Sequence, residues 1–248
     1  MRVAALYDIH GNLPALEAVL GEIRELGVDL IVIGGDVVPG PMPTEVLASL
    51  GRLPAPARFL YGNGERDVLA MREGRAVDRV PERVHQVLRW VAEMLTPAEA
   101  ECLGAWPATV RLELKGLGVV RFCHATPRSD AEIFTSRTPE EFLRPIFDPA
   151  QADVVVCGHT HMQFDRVIGD VRVVNAGSVG MPFGEPGAHW ALLGPGIEFR
   201  RTSYDLERAA ERIRATDYPR AGEFADGNVL DPPSEADMLD VFEKVALR

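Results

Sequence analysis

Three four-residue runs in this chain are apolar at every position: Val3-Ala4-Ala5-Leu6, Leu30-Ile31-Val32-Ile33 and Val154-Val155-Val156-Cys157. A strand with one wet face alternates apolar and polar residues. A run with no polar position must be covered on both faces, as parallel strands beneath helices are. The neighbouring sequence supplies such helices. Asn12 precedes Pro14 and the periodic set Leu16, Val19, Leu20, Ile23 and Leu26, and Gly27 is the stop. Further strands are expected at 57–60, 109–114, 119–123, 164–168, 171–175, 190–193 and 197–203. Helices are expected over 43–50, from Pro81 to about Gly104 with Thr96-Pro97-Ala98-Glu99 restarting it as a capping box, over 140–147 behind Thr138-Pro139, from Asp205 to about Thr216, and from Ser234 onward. Tyr61-Gly62-Asn63-Gly64 reads as a loop, and residues 219–233, with three prolines and two glycines, as a linker or wrap. The result is a mixed α/β protein with two strand-rich regions and helices outside them.

The residues that end these strands are of one chemical kind. Asp8 and His10 follow the first strand, Asp36 the second and Asn63 the third; His124, His159 and His161 follow strands of the second half. Open α/β sheets place their sites at the carboxyl ends of strands. Four of the six histidines and three of the four asparagines of the chain lie in or beside this set. Imidazoles, two carboxylates and an amide form a mixed N/O donor set suited to Mn, Fe, Zn, Co or Ni. Seven such donors exceed one tetrahedral site and match two cations sharing a carboxylate. Such a pair, about 3.5–4 Å apart, can hold a hydroxide and clamp a phosphoryl group for in-line attack.

Charge bears on the substrate. Acids number 37 against 26 basic residues, a formal net charge of −11. The stretch from Asp205 onward carries 11 acids and 6 bases. An extended nucleic-acid face needs clustered Lys and Arg, so that class is excluded. Two divalent cations would nonetheless leave the donor cluster positive enough to meet a phosphate. No apolar run reaches the roughly 18 residues of a membrane helix, and the three cysteines show no paired spacing. The expectation is a soluble cytoplasmic protein with reduced thiols.

The ordered set Asp8-x-His10, Gly35-Asp36, Gly62-Asn63, His124 and Gly158-His159-x-His161 resembles the calcineurin-like metallophosphoesterase superfamily. Asp8-Ile9-His10-Gly11-Asn12 and Asn175-Ala176-Gly177-Ser178-Val179-Gly180 resemble its small single-domain prokaryotic phosphodiesterase branch. The likeness spans roughly residues 1–200. It implies a four-layer αββα sandwich of two mixed β-sheets flanked by helices. The tail from Asp205 lies outside the likeness, and the expected division is residues 1–204 as the domain and 205–248 as an acidic helical extension packing on it. One metal would be held by Asp8, His10, Asp36 and His161, the second by Asp36, Asn63, His124 and His159, with Asp36 as the bridge. Manganese is favoured. Asp36, Asn63 and His124 would act in catalysis through the metal centre. Many members carry a histidine directly after the Asn; this chain has Gly64 there, so no general-acid His is found.

The implied function is a dinuclear-metal phosphodiesterase acting on small phosphate esters or nucleotides, best on activated diesters or anhydrides. Alternatives are a phosphomonoesterase, a dinucleoside polyphosphate or protein phosphatase, and a catalytically weak metal-binding scaffold. Asn12 is a candidate phosphate contact against its reading as a helix cap. Arg66 is another, against that of an exposed helix-start Arg. Asn175 and Ser178 either orient a ligand histidine or shape a turn. The oligomeric state is left open, a homodimer included.

Overall fold

Covering both faces of the apolar runs takes two sheets and three apolar interfaces. In the computed structural model, which describes residues 1–77 and 80–247, the first sheet has the order β10 (Ile197–Thr202), β9 (Ala188–Leu193), β1 (Val3–Leu6), β2 (Leu30–Ile33), β3 (Ala57–Phe59). The second has the order β4 (Thr109–Leu114), β5 (Gly118–Cys123), β6 (Val154–Cys157), β8 (Val171–Asn175), β7 (Phe164–Ile168). Strands β1, β2 and β3 are parallel, as are β5, β6 and β8, and antiparallel strands complete each sheet. Both sheets are therefore mixed.

Side-chain alternation divides each central strand between two interfaces. Val3, Ala5, Leu30 and Val32 of the first sheet meet Val120, Phe122, Val154 and Val156 of the second in one cluster between the sheets. Ala4, Leu6, Ile31 and Ile33 face outward into a cluster with α1 (Leu13–Leu26), α2 (Pro43–Leu50), α4 (Glu82–Met94) and α7 (Leu206–Arg214). On the far side, Cys123, Val155 and Cys157 pack under α6 (Glu140–Phe147). Three interfaces separate four layers, the expected αββα sandwich. Tyr7 fastens the middle one, its hydroxyl donating to the Val156 carbonyl at 2.9 Å.

Helix α1 is bounded as its sequence requires. The Asn12 side chain accepts from Ala15 N–H at 3.2 Å, and Gly27 adopts φ 63° while its N–H bonds Ile23 O. Burying Leu16, Val19, Leu20 and Ile23 contributes roughly 1.5–3 kcal/mol each. Thr96 and Glu99 form the expected capping box at the start of α5 (Pro97–Gly104).

Three local expectations are corrected. Asn63 is not in a loop: it is the first residue of α3 (Asn63–Arg72), behind Gly62 at the N-cap. Residues 219–233 are not a linker. They form α8 (Ala221–Phe224) and a π-helical turn over Ala225–Leu230, because Phe224, Ala225 and Val229 are buried in the core with Ala209, Ala210 and Ile213 of α7. Thr138 does not cap α6; its hydroxyl instead accepts from Thr135 N–H at 2.9 Å. The last helix, α9, spans Glu235–Phe242. None of the described helices is long and apolar enough to cross a membrane.

Candidate metal centre

Parallel strands of both sheets deliver their donors at one end of the sandwich. Strand β1 leads into Asp8 and His10, β2 into Asp36, β5 into His124 and β6 into His159 and His161; Asn63 opens α3 beyond β3. The backbone turns sharply at most of these positions. Asp8, His10, Asp36, His159 and His161 have φ of 53°, 49°, 51°, 68° and 61°, and Gln151 is the one other described non-glycine residue with positive φ. Such conformations cost of order 1–3 kcal/mol each and persist only where the surroundings enforce them. The enforcement is visible. Asp8 N–H donates to Gly35 O at 3.1 Å, His10 N–H to Asp36 O at 2.9 Å, and His159 N–H to Asp8 Oδ2 at 2.8 Å.

Two triads result, Asp8-His10-His161 and Asp36-His124-His159, each with ligand atoms mutually within 4.8 Å. They are contiguous. Asp36 turns Oδ1 to His124 Nε2 at 3.5 Å and Oδ2 to His10 Nε2 at 3.8 Å, so it stands between them. Asp8 Oδ1 lies 3.3 Å from His161 Nε2 and 3.8 Å from the Nε2 atoms of His10 and His124. Three imidazoles are oriented through their other nitrogen. His10 Nδ1 faces Pro39 O at 3.0 Å, His124 Nδ1 faces Gly34 O at 2.9 Å and His161 Nδ1 faces Met181 O at 2.8 Å. A carbonyl only accepts, so each Nδ1 carries hydrogen and the neutral ring turns its Nε2 lone pair into the cluster.

The field of the two buried carboxylates dominates the electrostatics. Burial alone would depress His124, but Asp36 and Asp8 outweigh it and raise its pKa to about 10. His161 is likewise raised, burial being outweighed by Asp8. Asp36 is held well below the carboxylate range, because His124 and His10 overcome the effect of burial. His159, buried and beside His124, falls to about 4. The cluster thus attracts positive charge, and protons and metal cations compete for it.

A family model described as the calcineurin-like phosphoesterase superfamily domain matches residues 1–194. The chain belongs to that superfamily. It is accordingly a phosphoesterase, a hydrolase of phosphoric esters. An uncharacterized protein of Methanocaldococcus jannaschii, MJ0912, is 26% identical over 231 residues, covering 85% of this chain and 91% of that protein. The phosphodiesterase YfcE of Escherichia coli K12 is 27% identical over 198 residues, 78% of this chain and 87% of YfcE. The crystal structure of the hypothetical protein PH1004 of Pyrococcus horikoshii has the same fold, with a TM-score of 0.79 at 24% identity over 94% of this chain and 99% of that one.

The superfamily is metal-dependent, and the donors present fit cations. Asp8 Oδ1 and His159 Nε2 are buried with no hydrogen-bond partner. His10 Nε2 and His161 Nε2 confront each other at 3.2 Å. One branch of the Asn63 amide sits 3.0 Å from His159 Nδ1 and 3.2 Å from His124 Nε2. Opposite unprotonated rings the amide offers its NH2 there; with a cation bound, its carbonyl oxygen would be free to join the two imidazoles as a donor. Lone pairs converging on one another in a buried space are what a metal relieves.

The other candidate residues stand apart from this cluster. Asn12 is fully buried, its oxygen capping α1 and its NH2 donating to Gly180 O at 2.9 Å. Arg66 pairs with Asp130 and borders the cleft. Asn175 donates to Gly158 O and Thr160 Oγ1, and Ser178 to Asp8 O. Both shape the backbone of the ligand loops rather than touching an imidazole. Gly64 has a steric reason: a Cβ there would lie 2.4 Å from Pro39 Cγ and 2.8 Å from Asp36 Oδ1. Its N–H instead donates to Asp36 Oδ1 at 2.6 Å.

Glu65 is the residue that sequence reading undervalued. Fully buried, it accepts from Asp36 N–H and Gly62 N–H through Oε2, both at 2.8 Å, and from Val37 N–H and Val38 N–H through Oε1 at 2.7 and 3.2 Å. Burial and Asp36 push its pKa up to about 7, against the pull of these amides. It ties the loop after β2 to the start of α3. Its spacing from Gly62, that of the acidic member of a capping box, was the available signal.

Proposed function

We propose that this phosphoesterase is a dinuclear-metal phosphodiesterase. The observation that carries the reading is the pair of contiguous triads with Asp36 presenting one oxygen to each. One cation would be held by Asp8, His10, Asp36 and His161, the other by Asp36, Asn63, His124 and His159, with manganese favoured. Divalent cations, when bound, supply Lewis acidity, lowering the pKa of water and offsetting phosphoryl charge.

The protein's own contribution is placement. Pro39, Gly34 and Met181 carbonyls fix three imidazoles in one tautomer. Asn63 donates without adding negative charge, which keeps the site attractive to an anion. Attack on phosphorus proceeds in line, one P–O bond forming as the opposite one breaks. No imidazole outside the donor set is placed to protonate the departing oxygen. His85 bonds Val77 O from α4, and His189 bonds Glu185 O from β9. Esters with good leaving groups therefore suit the site best, and small cytoplasmic phosphodiesters or nucleotides are the expected substrates.

The test combines metal analysis with turnover of bis(4-nitrophenyl) phosphate in Mn²⁺. Two metal equivalents, turnover lost on chelation and turnover abolished in Asp36→Asn support the reading. Two equivalents with no turnover would instead show a metal-binding scaffold.

A further inference from the structure

A polar cavity of about 380 Å³ opens beside His124, between α3 and the loop that follows β5. The larger groove of about 490 Å³ between Leu47, Phe59, Cys102 and Trp106 is apolar and contains none of the donor residues. Three arginines, Arg66, Arg121 and Arg128, line the polar cavity. Arg66 is paired with Asp130 and Arg128 with Glu132. Arg121 has no such partner. It is half-buried on β5, and its guanidinium donates to two carbonyls, Ala150 O at 3.3 Å and Pro127 O at 3.1 Å. Those bonds aim the group without neutralising it, and they leave most of its five N–H donors free.

The strand pairing adds a second cation. Arg111 of β4 lies directly opposite Arg121 of β5. Like charges facing one another across a ladder are destabilising, and neither arginine forms an ion pair with a described carboxylate. In a chain of net charge −11, an uncompensated Arg121 on the wall of the cavity beside His124, with the exposed Arg111 next to it on the neighbouring strand, calls for an anion. A planar guanidinium fork matches phosphoryl oxygens.

We propose that this wall is a subsite for a second phosphoryl group on the substrate, so that the enzyme acts on phosphodiesters whose non-leaving side carries a further phosphate. The proposal rests on the phosphodiesterase reading and names the substrate class of that same site. Arg121 is its binding residue, and Arg111 strengthens the positive field there. The scissile phosphate sits at the donor cluster, while the second phosphate takes the arginine wall.

Two esters that differ in one group test it: thymidine 5′-(4-nitrophenyl phosphate) with and without a 3′-phosphate, assayed with Mn²⁺. They share the leaving group and the reacting bond. The wild-type protein is expected to show a KM about ten-fold lower for the 3′-phosphorylated ester, the size of effect one charge-assisted contact gives. Arg121→Gln should erase most of that advantage. Arg111→Gln, at an exposed position that folding tolerates, should reduce it in part, and raised ionic strength should shrink it in wild type. Equal KM values in wild type, or an advantage that survives both substitutions, would overturn the proposal. Release of nitrophenol from neither ester would overturn the phosphodiesterase reading, and the subsite would fall with it; turnover of the plain diester alone removes only the subsite.

Discussion

Replacing Glu65 by Gln tests whether one buried carboxylate holds the Asp36 loop in place. Four backbone N–H groups converge on its two oxygens, two on each, and the side chain is fully buried. The amide is nearly isosteric but offers one oxygen. Its NH2 must face the pair of amides on the other side, leaving either Asp36 and Gly62 or Val37 and Val38 without an acceptor. An orphaned buried N–H costs about 1–3 kcal/mol, so two give a destabilisation of roughly 2–6 kcal/mol. For a domain of this size each kcal/mol lowers Tm by about 2–4 °C, and the expected drop is therefore roughly 4–24 °C. Thermal and urea unfolding followed by circular dichroism measure it. Asp36 loses the partner of its own N–H in one of the two orientations, so metal affinity, read by titration calorimetry, should weaken as well. Stability and metal affinity both within error of wild type would refute the reasoning, since the four short contacts would then be carrying no energy.

Other consequences can be checked more quickly. Chelation should lower Tm, because ligands that bind only the folded state stabilise it by about 2.7 kcal/mol at a hundred times Kd; an unchanged Tm would contradict the donor set. Gly64→Ala should destabilise by about 1–3 kcal/mol through overpacking against Pro39 and Asp36, and Gly64→His should fail to create a working acid for the same reason. Across aryl and alkyl diesters the rate should fall steeply as leaving-group pKa rises, and a flat series would point to an acid not identified among the residues above. Burial raises the thiols of Cys123, to about 12, and of Cys157, while Cys102 is exposed. Alkylation at pH 8 should therefore label one thiol in the native protein and three in urea, by mass spectrometry.

How much of this was legible depended on whether the cause was local. The central strands declared themselves because both their faces are covered, which forbids polar residues at any position. Helix α1 carried its own cap and stop. Residues 219–233 misled because prolines and glycines were counted without regard to place. Pro219, Pro232 and Pro233 flank the helical turns, and Gly222 and Gly227 are tolerated inside them by the burial of Phe224, Ala225 and Val229. Asn63 was misread as loop because Gly on either side is ordinary turn chemistry, yet the Glu65 carboxylate on the Gly62 N–H is what starts α3 there. Arg121 was invisible to any local pattern, since its significance comes from a neighbouring strand and a cavity.

The donor motifs were legible for a deeper reason, which is that their spelling follows from the backbone they need. A residue that continued the pleat would point to one sheet face or the other. A left-handed residue breaks the pleat and redirects the side chain, and five of the seven candidate donors do this, His124 and Asn63 being the exceptions. Asp and His are among the few side chains that both bind metals and enter that region with any frequency. The flanking glycine is also fixed by contact: a Cβ on Gly158 would lie 2.3 Å from Asp8 Oδ2, the atom that accepts the His159 N–H. Gly158-His159 therefore records in sequence that the Asp8 carboxylate passes directly beneath that turn. Asp8 and His159 fall in different triads, yet the turn binds one to the other before any cation arrives. A pair of triads joined in this way has its spacing set in part by the Asp8 carboxylate, so Asp8→Ala should disturb the turn that carries His159, whereas His10→Ala or His161→Ala should leave that turn in place even where cation occupancy would be lost.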